Sequence, residues 1–254
     1  MARAPETLST LEKGLAVLTA FSAGRPEWGV VELAQHLRIH KTTVHKVLAT
    51  YQQWGLIQQD RTTRRYRLGF RLLELAQAVS PVTGLRDAAR PELERLVALS
   101  GETAKLSVAD QSESVVIEAV EGREQMRMTG QVGMRNPLYA GASNKLLLAY
   151  MPPDTVARIV ADTAPLEHPA RTQPQLFWAE VAAIAHAGYA LSSSEVERGV
   201  TAVSAPVRDA TGQVVASVSI VGPSARLPEE RMQSLIEPVR TAAAAISGRL
   251  GFQP

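Results

Sequence analysis

Two short apolar stripes joined by only three residues constrain this chain more than any other feature. Val30, Leu33, Ala34 and Leu37 recur at steps of three and four over about two helical turns. After residues 38–40 the same period resumes with Val44, Val47, Leu48 and Tyr51, and it stops near Trp54 and Gly55. Two amphipathic helices with so short a link make a helix-turn-helix. An earlier stripe, Leu8, Leu11, Leu15 and Leu18, predicts a first helix over roughly residues 7–23, which Gly24 and Pro26 then break. Beyond the third helix, LIQQDRTTRRYRL offers two short strands, 56–58 and 66–68, around a polar tip. Four of the seven residues 61–67 are arginine, a composition that suits contact with a phosphate backbone better than burial. This is a β-wing.

Projection of the third helix at about 100° per residue places Thr42, Lys46, Ala49 and Gln53 opposite its apolar stripe, with His45 and Thr50 on the flanks. Small hydrogen-bonding side chains near the start of such a helix approach base edges, and neighbouring lysines reach phosphates or guanine. The residues expected to contact double-stranded DNA are therefore Lys41, Thr42, Thr43, His45 and Lys46 on the helix and Arg61, Arg64 and Arg65 on the wing. Charge is divided accordingly. Residues 1–70 carry 10 Lys+Arg against 5 Asp+Glu, while the remainder carries 17 against 20, so only the first part attracts a polyanion.

No cysteine is present, which excludes disulfides and thiolate metal sites, and no stretch approaches the apolar length of a secretory signal or membrane span. A cytoplasmic protein without membrane contact is expected. The glycine-rich nucleotide motifs, the nucleophile elbow and the HExxH zinc motif are all absent, so neither a cofactor nor a metal is expected. Three of the five histidines, His36, His40 and His45, lie in the DNA-binding segment, and Glu195 and Glu197 read as a solvated loop. The chain is not expected to be an enzyme. The alternative is a small-molecule enzyme or ligand-binding module whose basic end serves assembly.

In the body, a helix is predicted over residues 85–100, with Pro91 kinking it or starting its second part. Residues 104–109, 115–120, 126–129, 199–207 and 214–221 read as strands, the last two joined by the turn DATG. Helices are predicted over 142–151, 154–163, from near Thr172 with a capping box at Gln175 to Gly188, and over 228–250. Hairpin-linked strands with helices between their halves make an α+β body, an antiparallel sheet covered by helices.

The run ELAQHLRIHKTTVHKVLATYQQWGLIQQDRTTRRYRLG resembles the DNA-binding domain of the IclR family of bacterial transcription regulators. The likeness continues through YRLGFRLLELA, NPLYAGASNKLLLAYM, GYALSSSEVERGVTAVSAPVRD and ASVSIVGPSARL. It implies a winged helix-turn-helix over 1–69, a linker helix over 70–81, a GAF-like or PAS-like effector domain over 82–254, and assembly to a dimer or tetramer. Small-molecule contacts, carried across, fall on Ala142, Ser143, Ser192, Ala202, Ser219 and Val221, with a carboxylate held at the helix start formed by Ala142, Ser143 and Asn144. Asn144 stands where the family has glycine. Members that bind very small keto acids have an acid, a cysteine and a serine where this chain has Ser192, Ala202 and Val221, so its pocket is less polar. A flatter ligand follows, an aromatic carboxylate or related amide lined by Met126, Met128, Met134, Leu138 and Leu146, which would release a repressor from a catabolic operon.

Overall fold

The computed structural model describes residues 9–22, 24–78, 80–124, 127–128 and 130–253. The chain divides into two compact units, Met1–Ser80 and Pro81–Pro254.

The first unit opens with α1 (Thr10–Thr19). Ser9 and Glu12 close a capping box there, the Glu12 N–H donating to Ser9 Oγ at 3.2 Å and the Ser9 N–H to Glu12 Oε2 at 2.6 Å. A two-residue strand β1 (Glu27–Trp28) follows, then α2 (Val30–Leu37), α3 (Lys41–Gln53), β2 (Ile57–Gln59), β3 (Tyr66–Leu68) and α4 (Arg71–Gln77). Strand β1 lies in what reads in sequence as a plain turn. It forms because Trp28 is almost wholly buried and its indole N–H donates to Ala20 O at 3.0 Å, which brings the backbone alongside β3. The small sheet has the order β1-β3-β2. The stripes recognised in sequence meet around one core of Val17, Phe21, Trp28, Leu33, Ile39, Val44, Leu48, Ile57 and Tyr66.

The turn between α2 and α3 depends on Arg38, a non-glycine residue at φ +54, whose N–H and that of Ile39 return to the carbonyls of Gln35 and Ala34. At the exit of the wing, the Gly69 N–H donates to Leu56 O at 2.8 Å, and a Cβ on Gly69 would lie 2.1 Å from Gly55 O. Only glycine fits there.

The second unit holds α5 (Ser80–Ser100), β4 (Thr103–Asp110), β5 (Glu113–Val120), β6 (Arg135–Pro137), α6 (Ala142–Ala149), α7 (Pro153–Thr163), α8 (Pro169–Thr172), α9 (Pro174–Ala187), β7 (Ala190–Ser193), β8 (Val200–Arg208), β9 (Val214–Pro223) and α10 (Glu229–Arg249). The strands form one antiparallel sheet in the order β6-β5-β4-β9-β8-β7. Strand alternation gives this sheet two unlike faces. Ala104, Leu106, Val203, Ala205, Val207, Ala216, Val218 and Ile220 join the core formed with α5 and α10. The alternate positions carry Thr103, Lys105, Ser107, Ala202, Ser204, Ser217, Ser219 and Val221, and α6 packs on β4, β8 and β9. Beyond α6, Leu147 and Leu148 join Val156, Ile159, Phe177 and Val181 in a second cluster.

Several boundaries depart from the sequence expectation. Helix α5 begins at Ser80 rather than near residue 85, and Pro91 sits inside it without ending it. The helix expected from Thr172 to Gly188 is α9, entered through Gln173 and Pro174 with no side-chain cap where a capping box is expected, and the short α8 precedes it. Strands β6 and β7 were not expected. Met126 and Thr129 lie outside the described residues, and residues 127–128 form no strand.

Candidate DNA interface and effector cavity

On α3, Lys41, Thr42, His45 and Lys46 are exposed, while Thr43 is half-buried beside the buried Val44. Lys41 and His45 line a cleft shared with Val31 and Glu32 of α2 and with Gln59, Thr63, Arg64 and Arg65 of the wing. The start of the third helix and the wing thus present one continuous cationic surface. The tip is shaped by Asp60, whose Oδ1 accepts the N–H groups of Thr62 at 2.9 Å and Thr63 at 2.7 Å, and Arg64 then takes a left-handed φ of +57. Arg61 and Arg64 are exposed. Arg65 is employed differently: its guanidinium donates to Glu32 Oε2 at 2.8 Å and Oε1 at 3.2 Å, tying the wing to α2. Glu32 also meets Arg25, which lies 3.4 Å over the ring of Trp28. The hydrogen bond from Arg65, followed by that from the Gly29 N–H, holds the Glu32 carboxyl below the usual range.

In the second unit a cavity of about 130 Å³ opens between the sheet, the start of α6 and the loop after β7. Of the residues carried across by resemblance, Ala142, Ser143, Ser192, Ala202 and Val221 line it, and of those expected to line a flat ligand Met128 and Met134 do so. Leu146 packs with Ala142, Ala202 and Val221 just behind the wall, Leu138 belongs to the outer helical cluster, and Ser219 is fully buried with its hydroxyl turned to Lys105 O at 3.5 Å. Within the serine run only Ser192 reaches the cavity. Ser193 Oγ accepts from Thr201 Oγ1 at 3.4 Å and Ser194 Oγ from the Gly199 N–H at 3.0 Å.

The start of α6 departs from the expected carboxylate cradle in its side chains. Ser143 Oγ is shared with Ser204 Oγ at 3.2 Å; Asn144 accepts from Ser114 Oγ at 2.7 Å and donates to Ala140 O at 2.6 Å. Asn144 is helical, so the left-handed turn falls instead on Gly141, φ +89 and ψ 150, a conformation essentially reserved for glycine. The Gly141 N–H donates to Glu195 Oε2 at 2.9 Å, and Glu195 Oε1 accepts from Lys145 Nζ at 2.8 Å. Lys145 also bonds Glu180. Glu195 thus ties the loop to α6 while remaining exposed, as a residue of a solvated loop is expected to be. Among the described residues the N–H groups of Ala142, Ser143 and Asn144 have no acceptor.

Several cavity residues were missed in the sequence, among them Asn136, Val196, Val200 and the charged Lys105. Lys105, from the middle of β4, lines the cavity, and burial lowers its pKa from the usual lysine value. The signal available was a lone cation inside a strand whose other members, the terminal Asp110 apart, are apolar or hydroxylic. Among the described residues no His, Asp or Glu cluster suits a metal ion, and no helix is long and apolar enough to cross a membrane.

A winged helix-turn-helix with a cationic reading surface, together with an α+β body holding a small-molecule cavity, defines a DNA-binding transcription regulator with an effector-binding domain. Residues 10–61 match the IclR helix-turn-helix domain, and residues 77–248 match the bacterial transcriptional regulator IclR C-terminal domain; the chain belongs to the IclR family. It is 31% identical over 96% of its length to the transcriptional regulator KipR of Bacillus subtilis, covering 97% of that protein. It is 32% identical over 98% of its length to KdgR of Escherichia coli, covering 95% of that protein. Among solved structures, an IclR homologue from Microbacterium hydrocarbonoxydans complexed with 4-hydroxybenzoate superposes with a TM-score of 0.82 at 26% identity, over 95% of this chain and 99% of that one.

Proposed function

We propose that this regulator is a repressor that a small single-ring carboxylate releases from its operator. The observation that carries the reading is the cavity. At about 130 Å³ it is close to the roughly 150 Å³ that accommodates one benzene ring. Beside its polar residues the wall carries Met128, Met134, Val196, Val200, Ala202 and Val221, and a very small polar anion would leave that apolar surface uncovered. The bound 4-hydroxybenzoate of the Microbacterium homologue supports the same class of ligand.

DNA is read by Lys41, Thr42, Thr43, His45 and Lys46, with Arg61 and Arg64 on the backbone and Arg65 placing the wing. Paired half-sites require at least a dimer. Exposed Trp54, Phe70, Leu73 and Leu75 supply apolar surface for that association in a dimer or tetramer. The protein works by binding alone, in the cytoplasm, without catalysing a reaction. Calorimetric titration with 4-hydroxybenzoate, benzoate, pyruvate and glyoxylate tests the effector class, and the gel mobility of operator DNA with each acid tests release. Tight binding of the aliphatic acids with none of the aromatic ones would overturn the aromatic assignment.

A further inference from the structure

Lys105 is the one charged cavity residue from the sheet, and among the described residues its side chain has no hydrogen-bond or ion-pair partner. It sits in β4 between Ala119 of β5 and Ser219 of β9, on the face that also carries Thr103 and Ser107. Two other charged residues, Glu195 and Glu197, line the cavity. Glu195 accepts from Lys145 and from the Gly141 N–H, Lys145 is shared between Glu180 and Glu195, and Glu197 lies in the exposed loop. Among the described residues, Lys105 takes part in no ion pair. Burial disfavours the charge of this lysine, which lines the cavity with Met128, Ala202, Val221 and Ser192, so an unpaired ammonium there should cost the empty protein stability. An ordinary sheet position would be better filled by an uncharged residue.

We propose that Lys105 receives the anionic group of the effector, completing with the unpaired N–H groups of Ala142, Ser143 and Asn144 a site that selects a monoanion over its neutral amide. The proposal rests on the reading of this cavity as the effector site. The two glutamates in the wall confine selection to a single negative charge, since a second anionic group would face carboxylates rather than a cation. Ring size and polarity are set by the wall residues Ser192, Ala202 and Val221, whereas the choice between acid and amide is set by Lys105.

The test uses the full chain, wild type and Lys105→Met, with Lys105→Arg as the charge-retaining variant. Each is titrated calorimetrically with 4-hydroxybenzoate, 4-hydroxybenzamide, pyruvate and pyruvamide, and each is melted without ligand. A buried charge-assisted contact predicts that wild type prefers an acid to its amide by about tenfold or more. Lys105→Met should abolish that preference by weakening the acid alone, Lys105→Arg should keep most of it, and ligand-free Lys105→Met should melt at or above the wild-type temperature. Retention of the preference in Lys105→Met overturns the proposal, as does a wild type that binds no acid more tightly than its amide. A large fall in the melting temperature of Lys105→Met also overturns it, because the lysine would then be structural. If pyruvate rather than 4-hydroxybenzoate shows the Lys105-dependent preference, the aromatic reading falls and Lys105 stands.

Discussion

Two adjacent arginines in the wing have different tasks. Arg64 is exposed at the tip in a left-handed turn, whereas Arg65 is spent on Glu32. Arg64→Ala should therefore weaken DNA binding across all sequences and reduce the salt slope of log K by about 1, with an unchanged melting temperature. Arg65→Ala should lower the melting temperature and weaken DNA binding through a displaced wing. This second effect carries a pH signature. The Glu32 carboxyl is depressed in the folded protein, so its contribution is complete above the ordinary carboxylate pKa and fades as pH falls through the depressed value. Melting curves of wild type and Arg65→Ala, measured from neutral pH into acid, should accordingly converge.

At the scale of elements, the turns bear the sharpest constraints. Arg38 holds a left-handed conformation that costs an L-residue roughly 1–2 kcal/mol, so Arg38→Gly should raise the thermal stability of the first unit. Gly69→Ala should lower it by about 1–3 kcal/mol, because the added Cβ meets the Gly55 carbonyl, a backbone atom with little freedom to yield. Denaturant melts of the two variants should move in opposite directions.

Which elements were legible in the sequence follows from their length. Helices α2 and α3 and strands β4, β5, β8 and β9 repeat their period often enough to be read directly. Strands β1, β6 and β7 have two, three and four residues, too few for alternation to register, and they exist because β3, β5 and β8 offer open edges beside them. The site divides in the same way. Ser192, Ala202 and Val221 could be placed by resemblance because β7, β8 and β9 pair them across one row, Ser192 with Ala202 and Ala202 with Val221. Lys105 could not, since a lysine in an alternating strand looks like any solvent-facing position until the residues packed over it are known. Ser219 and Leu146 fall just behind the wall, a difference of one layer that spacing does not report.

Each unit keeps its own hydrophobic interior, the first around Val17, Leu33, Val44 and Leu48 and the second mainly between the large sheet, α5 and α10. Damage should stay where it is made. Leu48 is fully buried, so Leu48→Ala should cost about 2–5 kcal/mol in the first unit and depress DNA affinity. The calorimetric titration of the same variant with 4-hydroxybenzoate should match wild type. Conversely, ligand at a hundredfold excess over its Kd should stabilise the second unit by about 2.7 kcal/mol, visible as an upward shift of its transition in scanning calorimetry.

The two-faced sheet also bears on how such a receptor can change over generations. Because the strands turn their aliphatic residues toward α5 and α10 and mostly small or hydroxylic ones toward the cavity, a substitution at Ser192, Ala202 or Val221 should, under the proposed effector site, alter what is sensed while leaving the core against α5 and α10 intact. Under that proposal a duplicated copy would acquire a new signal by one or two point changes while its reading helix and wing stayed as they were. The opposite face has no such latitude, and innovation in this molecule is channelled to one side of a single sheet.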